Sequence, residues 1–510
     1  MITDHLYRHA RQQPDKPFLV FGERDISYGE MARLVSRQAH RLHQAGVKPG
    51  QHVALLCGNR PAFLVSWFAI NELGAVAVPL NVSLVGDGLQ YTLRQSEAVL
   101  LMIEPDLLEG KRKDIEGLGT KLHIVVIDEA MEADNGEAVA RWQLAKKPTP
   151  LSANSILYTS GTTGLPKGVV LPHRAYELAG QDMVQSLGVT ADERILVFLP
   201  LFHANPQMYA VTSTLQAGAT LVLLPKFSAS QFFADAVRHR ATGFTFVGTV
   251  LSILEKQHPG ENRAHGLKWC VGGGAPARVW QEVESRFGVN VRELYGMTET
   301  GGWVTMNTAA GSRLGSVGGP RRGVEIAVRD PQGNTLPVGE KGEITARSTD
   351  DGMFFTEYWN NAEATAGTLK QGWLYTGDRG YQDTGGYLYF DGRVKELIRR
   401  GGEMIAPTEI EQQLLKHPAV KDCAVVGVPD DIMGEEVKAV IVASEAVSPQ
   451  SLQAFLEGRV PAYMVPRFFT FTQAIPKTET QKIKRHELGS IAAETIDTRP
   501  AGRAQKTVTN

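Results

Sequence analysis

Between Tyr158 and Gly168 the chain reads YTSGTTGLPKG, a run rich in Gly, Thr and Ser that ends on Lys167 and Gly168. Almost nothing in it could fill a core. Such a loop suits phosphate. Glycines let backbone N–H groups come close because they carry no Cβ. Hydroxyls add donors and the lysine adds a positive charge. Ser155–Tyr158, just ahead, reads as a short strand, and a strand followed by a Gly-rich loop is a common setting for phosphate capture. The P-loop is excluded. It requires a second Gly and then Lys followed by Ser or Thr. Counted from Gly161, that second Gly position holds Pro166, and Lys167 is followed by Gly168. Taken alone, the stretch also reads as a surface turn.

Five more stretches have the same chemical character. PLFHAN (Pro200–Asn205) sets His203 after an apolar strand, and VGGGAP (Val271–Pro276) puts three glycines after another. ELYGMTETGG (Glu293–Gly302) gathers an aromatic, two threonines and Glu299 in one turn. GWLYTGD ends on Asp378, and PKTETQKIKR (Pro476–Arg485) carries Lys482. Each has a plain alternative. A lone His is usually a structural one, Gly272–Gly274 a tight turn, Asp378 after Gly377 a turn Asp, and Lys482 beside Lys477 and Lys484 a solvated charge run. Their order and spacing together carry the signal.

The elements that must position these residues are visible as texture. HVALLCG, LLMIEP, HIVVID, RILVFLP and ATLVLLP are short apolar runs ended by Gly, Pro or Asp, whereas GEMARLVSRQAHRLHQAG has helical spacing. Strands alternating with helices imply largely parallel sheets covered by helices. From Gly315 the chain turns to alternating strands, with DPQGN between two of them, which implies a smaller β-rich subdomain. After GRVKELIRRGGE it reads as a compact α+β unit. The expected class is therefore α/β: a large N-terminal domain of two α/β subdomains and a β-rich one, with a small α+β C-terminal domain. The expected boundaries are 1–393 and 394–490, with a disordered tail over 491–510.

Composition narrows the classes. The chain has 510 residues, 43% hydrophobic and 21% charged, with net charge −2. That is ordinary globular composition, and no broad basic face invites nucleic acid. Cys57, Cys270 and Cys423 lie far apart, which suits reduced thiols in a cytoplasmic setting. The most apolar run, Phe63–Leu80, contains Asn71, Glu72 and Pro79, so it reads as a buried helix and strand rather than a membrane span.

YTSGTTGLPKG, ELYGMTE, GWLYTGD, GRVKELI, GGE with PTEIE, and KIKR, in that order, resemble the adenylate-forming superfamily. It comprises acyl-CoA synthetases, peptide-synthetase adenylation domains and firefly luciferase, and the resemblance covers residues 5–488. It implies that a carboxylate and ATP become an acyl-adenylate and pyrophosphate, after which the acyl group passes to a thiol, usually that of CoA. Thr159, Ser160, Gly161, Thr162, Thr163, Gly164 and Lys167 would hold the phosphates. Glu299 would hold Mg²⁺, a hard ion that favours oxygen ligands. Tyr295 would face the adenine, with Gly273, Gly274, Ala275, Pro276, Glu293, Gly296, Met297 and Thr298 around the nucleotide. Asp378 would accept the ribose hydroxyls, and Arg393 offers a fork to ribose or phosphate. Lys482, His203 and Glu299 are the expected catalytic residues, with Lys482 bridging the attacking carboxylate and the α-phosphate. Lys395 would be the pivot of a C-terminal domain rotation that brings up an acceptor face bearing Gly401, Gly402 and Glu403. One departure stands out: Gln481 precedes Lys482 where the family usually has Gly.

The acyl pocket is expected from Asn205, Val247, Gly248, Gly272 and Trp303, with Trp303 either lining it or capping it from outside. None is a cation, and burying an unpaired second carboxylate is costly. A neutral, medium-size monocarboxylic acid, cyclic or branched, fits better than malonate or succinate. The expected acceptor is CoA. A carrier-protein thiol, or an amino acid in an amide-forming ligase of the coronafacic acid type, would use the same motifs. The expected partners are thus a carboxylic acid, ATP and CoA, without nucleic acid or a membrane span, in a monomer or homodimer. A non-catalytic nucleotide sensor is opposed by the retained Glu299, Asp378, Arg393 and Lys482.

Overall fold

The computed structural model describes residues 1–499 except 120–121, 129–130, 135, 138, 160–164, 394–396, 477–482, 484 and 491–493, with residues 393, 486, 489 and 490 described by backbone only. Ser160–Gly164, Lys395, Gln481 and Lys482 therefore lie outside the described residues, as does the Arg393 side chain. The chain packs as two compact units. Met1–Val82, Thr92–Thr159 and Lys167–Val394 make the large one. Ser83–Tyr91 belong with the residues from Lys395 onward to the small one, a discontinuity that the expected boundaries did not include.

The apolar runs become strands where breakers bound them. One sheet of the large unit has the order Glu357–Tyr358, Lys167–Pro172, Ala153–Thr159, Val76–Pro79, His52–Leu56, Leu100–Ile103, His123–Val126. The second runs Gly319–Pro320, Thr305–Met306, Asn290–Tyr295, Trp269–Gly273, Gly243–Val247, Arg194–Val197, Thr220–Leu223, Pro17–Phe21, Arg24–Ser27. Their central pairings are parallel and antiparallel pairs lie toward the edges. The run from Phe63 to Leu80 resolves into helix Pro61–Glu72, buried on every side, and strand Val76–Pro79. Among the described residues no helix is long and apolar enough to cross a membrane.

The turn-rich segment forms an antiparallel sheet in which Val324–Arg329 pairs with Gly342–Ser348, and Gly342–Ser348 with Trp373–Gln382. The DPQGN turn is held by Asp330, whose Oδ1 accepts the N–H groups of Gln332 at 2.9 Å and Asn334 at 2.8 Å, as short acids do in turns.

The small unit is built on a long hairpin, Val420–Asp430 with Gly434–Ala443. Ile398–Arg400 and Phe468–Phe471 flank its second strand. Of the expected tail only 494–499 are described, and they include a strand. Thr495–Asp497 is a strand, antiparallel to Phe468–Phe471, and Thr498 N–H donates to Arg467 C=O at 3.1 Å. A polar three-residue edge strand carries too little hydrophobic pattern to be seen in sequence.

Candidate active site

The parallel strands of the second sheet deliver their carboxyl ends to one place, where open α/β sheets bind ligands. Phe246 pairs with Gly272, and Gly272 with Glu293. A Cβ on Gly272 would sit 2.0 Å from the Phe246 carbonyl oxygen, and one on Gly248 would sit 1.7 Å from that of Gly274. These glycines are therefore required by neighbouring backbone. Gly274 adopts φ +89°, which glycine tolerates. The turn it forms is held by Glu293, whose carboxylate accepts Gly274 N–H at 2.6 Å and Ala275 N–H at 3.1 Å. Glu293 thus organises the Gly-rich turn where the sequence placed it beside the nucleotide.

Asp378 follows Gly377, which has φ +71°. Tyr295 O–H donates to Asp378 Oδ2 at 2.7 Å, so the flat ring expected for adenine and the carboxylate expected for ribose are adjacent. Strand register sets Asp378 opposite Arg393. Thr298–Thr300 forms a single 3₁₀ turn after Met297 and carries Glu299, which is 4% exposed. Tyr358 O–H donates to Glu299 Oε1 at 2.7 Å, and burial together with the adjacent Glu299 raises the phenol pKa well above its ordinary value. Tyr358 thus stays a donor. Lys167 Nζ lies 5.0 Å from the Tyr358 ring centroid. Lys167 and Glu299, read from separate motifs, therefore meet on one ring that sequence reasoning missed, since EYW carries no distinguishing pattern.

Asn205 Nδ2 donates to Phe246 C=O at 3.0 Å, joining PLFHAN to the carboxyl end of Gly243–Val247. Pro206–Val211 follows as a π-helix, a form frequent at functional sites. His203 is half-buried, its ring 4.5 Å from that of Phe202. Trp303 is fully buried. Tyr209 meets its ring edge-on at 5.4 Å, and a Cβ on Gly296 would lie 2.3 Å from Trp303 Cα. The expectation of surroundings without a cation needs one amendment: the Arg321 guanidinium lies 4.0 Å from the Trp303 ring centroid.

In the small unit, Gly401 and Gly402 have φ of +59° and +92° between Ile398–Arg400 and Glu403–Ile405. Arg485, three residues beyond Lys482, donates to Val425 C=O at 2.6 Å and to Glu411 Oε2 at 3.0 Å. Arg485 is thus fixed to the hairpin and to helix Pro407–Leu414.

The glycine turn held by Glu293, the Tyr295–Asp378 pair and the Tyr358 ring shared by Glu299 and Lys167 draw on three of the motifs that resemble adenylate-forming enzymes. Comparison with known proteins agrees. Residues 6–359 match the family described as AMP-binding enzyme, and residues 409–482 match the AMP-binding enzyme C-terminal domain. The chain is 33% identical over 495 residues to a crotonobetaine/carnitine–CoA ligase of Salmonella paratyphi A, covering 93% of this chain and 96% of that one. It is similar in structure to o-succinylbenzoate CoA synthetase from Bacillus subtilis, with TM-score 0.87, 28% identity and coverage of 96% and 99%. It also resembles an amide bond synthetase from Marinactinospora thermotolerans, with TM-score 0.83, 27% identity and coverage of 95% and 99%. The chain belongs to the AMP-binding family of adenylate-forming enzymes.

Proposed function

We propose that this ligase activates a neutral, medium-size monocarboxylic acid. The acid's carboxylate oxygen attacks the α-phosphorus of ATP and pyrophosphate leaves. The sulfur of CoA then attacks the acyl carbon and AMP leaves. The observation that supports the substrate class is that Asn205, Val247, Gly248 and Gly272 come together at the carboxyl end of the sheet with no charged side chain among them, and in this reading Trp303 completes their wall. A distal carboxylate there would be buried without a partner.

In this reading Tyr295 faces the adenine and Asp378, held by the Tyr295 hydroxyl, accepts ribose hydroxyls. Thr159–Gly164 and Lys167 hold the phosphates, and Arg393 reaches ribose or phosphate. Glu299 fits Mg²⁺: it is a buried oxygen donor fixed by Tyr358, and magnesium commonly takes one or two carboxylates along with phosphate oxygens. The ion would neutralise phosphate charge. Lys482 bridges the two reacting anions, and Lys395 is the pivot that lets the Gly401–Glu403 face serve the thiol. A domain pivot separates the half-reactions, so Lys395→Pro, which fixes φ, should impair acyl transfer more than adenylation. The similarity to an amide bond synthetase supports a second reading, in which an amine replaces the thiol.

The test is a panel of acids with ATP, scoring pyrophosphate release with and without CoA, and with amines. Hexanoate should exceed adipate in kcat/KM by about a hundredfold. Adipate equal to or better than hexanoate would overturn the substrate class. Release stimulated by amines but not by CoA would establish the second reading.

A further inference from the structure

The surroundings of Trp303 contain a charge that the acyl pocket does not use. Arg321 and Trp303 are both buried, with side-chain exposure of 1% for Arg321. Arg321 Nε donates to Asp182 Oδ2 at 2.7 Å, and Nη1 donates to Gly301 C=O at 3.1 Å. Nη2 is buried with no hydrogen-bond partner among the described residues. Asp182 is also engaged by Arg322, whose Nη2 donates to Oδ1 at 2.8 Å. One carboxylate thus serves two guanidinium groups, and the cluster keeps one positive charge. The flat face of Trp303 covers that charge at 4.0 Å, as indole covers cations favourably. Tyr209 fixes the cover, with its ring edge-on to Trp303 and its hydroxyl donating to Gly302 C=O at 2.8 Å. A cavity of about 360 Å³ is lined by Asp182, Trp303, Met306, Thr308, Arg321 and Arg322, among others.

We propose that Trp303 is a specificity-determining shield: it separates the acyl pocket from the buried Arg321 guanidinium, and its removal turns a site for monocarboxylic acids into one that accepts a distal carboxylate. This rests on the reading of Trp303 as a wall of the acyl pocket. A carboxylate reaching Arg321 would take the Nη2 donor that no group among the described residues uses, and charge-assisted hydrogen bonds of this kind are the strong ones. Cation and cover come from different segments, GGW and PRRG, so each can be altered separately.

The experiment compares hexanoate, glutarate, adipate and pimelate by pyrophosphate release in wild type, Trp303→Ala and Trp303→Ala/Arg321→Met, using variants with a cooperative melt; Trp303→Val serves if Trp303→Ala does not fold. In the single variant the kcat/KM ratio of the best diacid to hexanoate should rise about tenfold or more, and the double variant should lose the gain. A parallel arm maps phenylglyoxal modification of the folded proteins by mass spectrometry. Arg321 should be unreactive in wild type and reactive in Trp303→Ala. An unchanged ratio in a variant that still activates hexanoate, a gain that survives Arg321→Met, or equal Arg321 labelling with and without Trp303 would each overturn the shield. Absence of pyrophosphate release with every acid in wild type would instead overturn the proposed function, and the labelling arm would then decide the shield by itself.

Discussion

Among the described residues, the donors to buried carboxylates differ between the candidate site of the large unit and the hairpin scaffold of the small one. At the candidate site of the large unit, and among the described residues, Glu293 is held by backbone N–H groups, Glu299 by the Tyr358 hydroxyl and Asp378 by the Tyr295 hydroxyl. In the small unit Glu411 faces the Arg485 guanidinium, and Glu436 accepts Arg400 Nε at 2.6 Å with Arg467 also close. A neutral donor fixes a carboxylate without cancelling its charge. A guanidinium fixes it and cancels the charge as well. The first arrangement suits groups that must still meet ribose, metal or phosphate; the second suits scaffold.

The largest effect should come from the small unit's expected catalytic residue. Lys482→Ala should lower adenylate formation by orders of magnitude while sparing thioester formation from a supplied acyl-adenylate. Pyrophosphate release within a few-fold of wild type would move the role to another residue. Next, Glu299→Gln keeps an acceptor for Tyr358 but removes the charge. Its kcat for adenylation should fall about a hundredfold, with little change in melting temperature. In contrast, Glu436→Gln leaves two guanidinium groups in the small unit short of a partner. It should destabilise that unit by about 3 kcal/mol in chemical denaturation, with adenylation per folded molecule largely kept. If Glu299→Gln costs stability and Glu436→Gln costs rate, the contrast between the units is wrong.

A further effect is in pH. His173 is 3% exposed, its Nδ1 accepts from Asn154 Nδ2 at 3.0 Å, and burial holds its pKa down to about 4. An unfolded histidine titrates near 6.5. Between those values the unfolded chain binds the proton and the folded one does not, so stability falls as pH drops from about 6.5 to 4, by about 3 kcal/mol from this group. His173→Gln should flatten that part of the stability curve of the large unit. An unchanged slope would show that His173 charges in place.

Much of this was readable beforehand because it is local. Strands such as His52–Leu56 and Arg194–Val197 are short apolar runs with breakers at their ends, and YTSGTTGLPKG or ELYGMTE is chemically odd over a few residues. What was not readable is what distant segments do together. Tyr358 under Glu299, Arg321 behind Trp303, and Gly248 pressed on Gly274 each join residues far apart in sequence. Gly248 and Gly272 are expected in the acyl pocket, and both first answer neighbouring backbone. Ser83–Tyr91 joined the small unit without any compositional sign.

The pairing of Thr495–Asp497 with Phe468–Phe471 has a topological consequence. The chain between Phe471 and Thr495, which includes Lys482 in sequence, begins and ends at one strand pair, and Arg485 and Ile483 add further attachments to the same unit. Closing a loop restricts the positions open to its middle, at an entropic cost that grows only slowly with length. A single proteolytic nick beside Lys482 would release that restriction while leaving both strands in their sheet. A shortened chain ending at residue 482, where the family match stops, would lose both the closing strand and the Arg485 anchor.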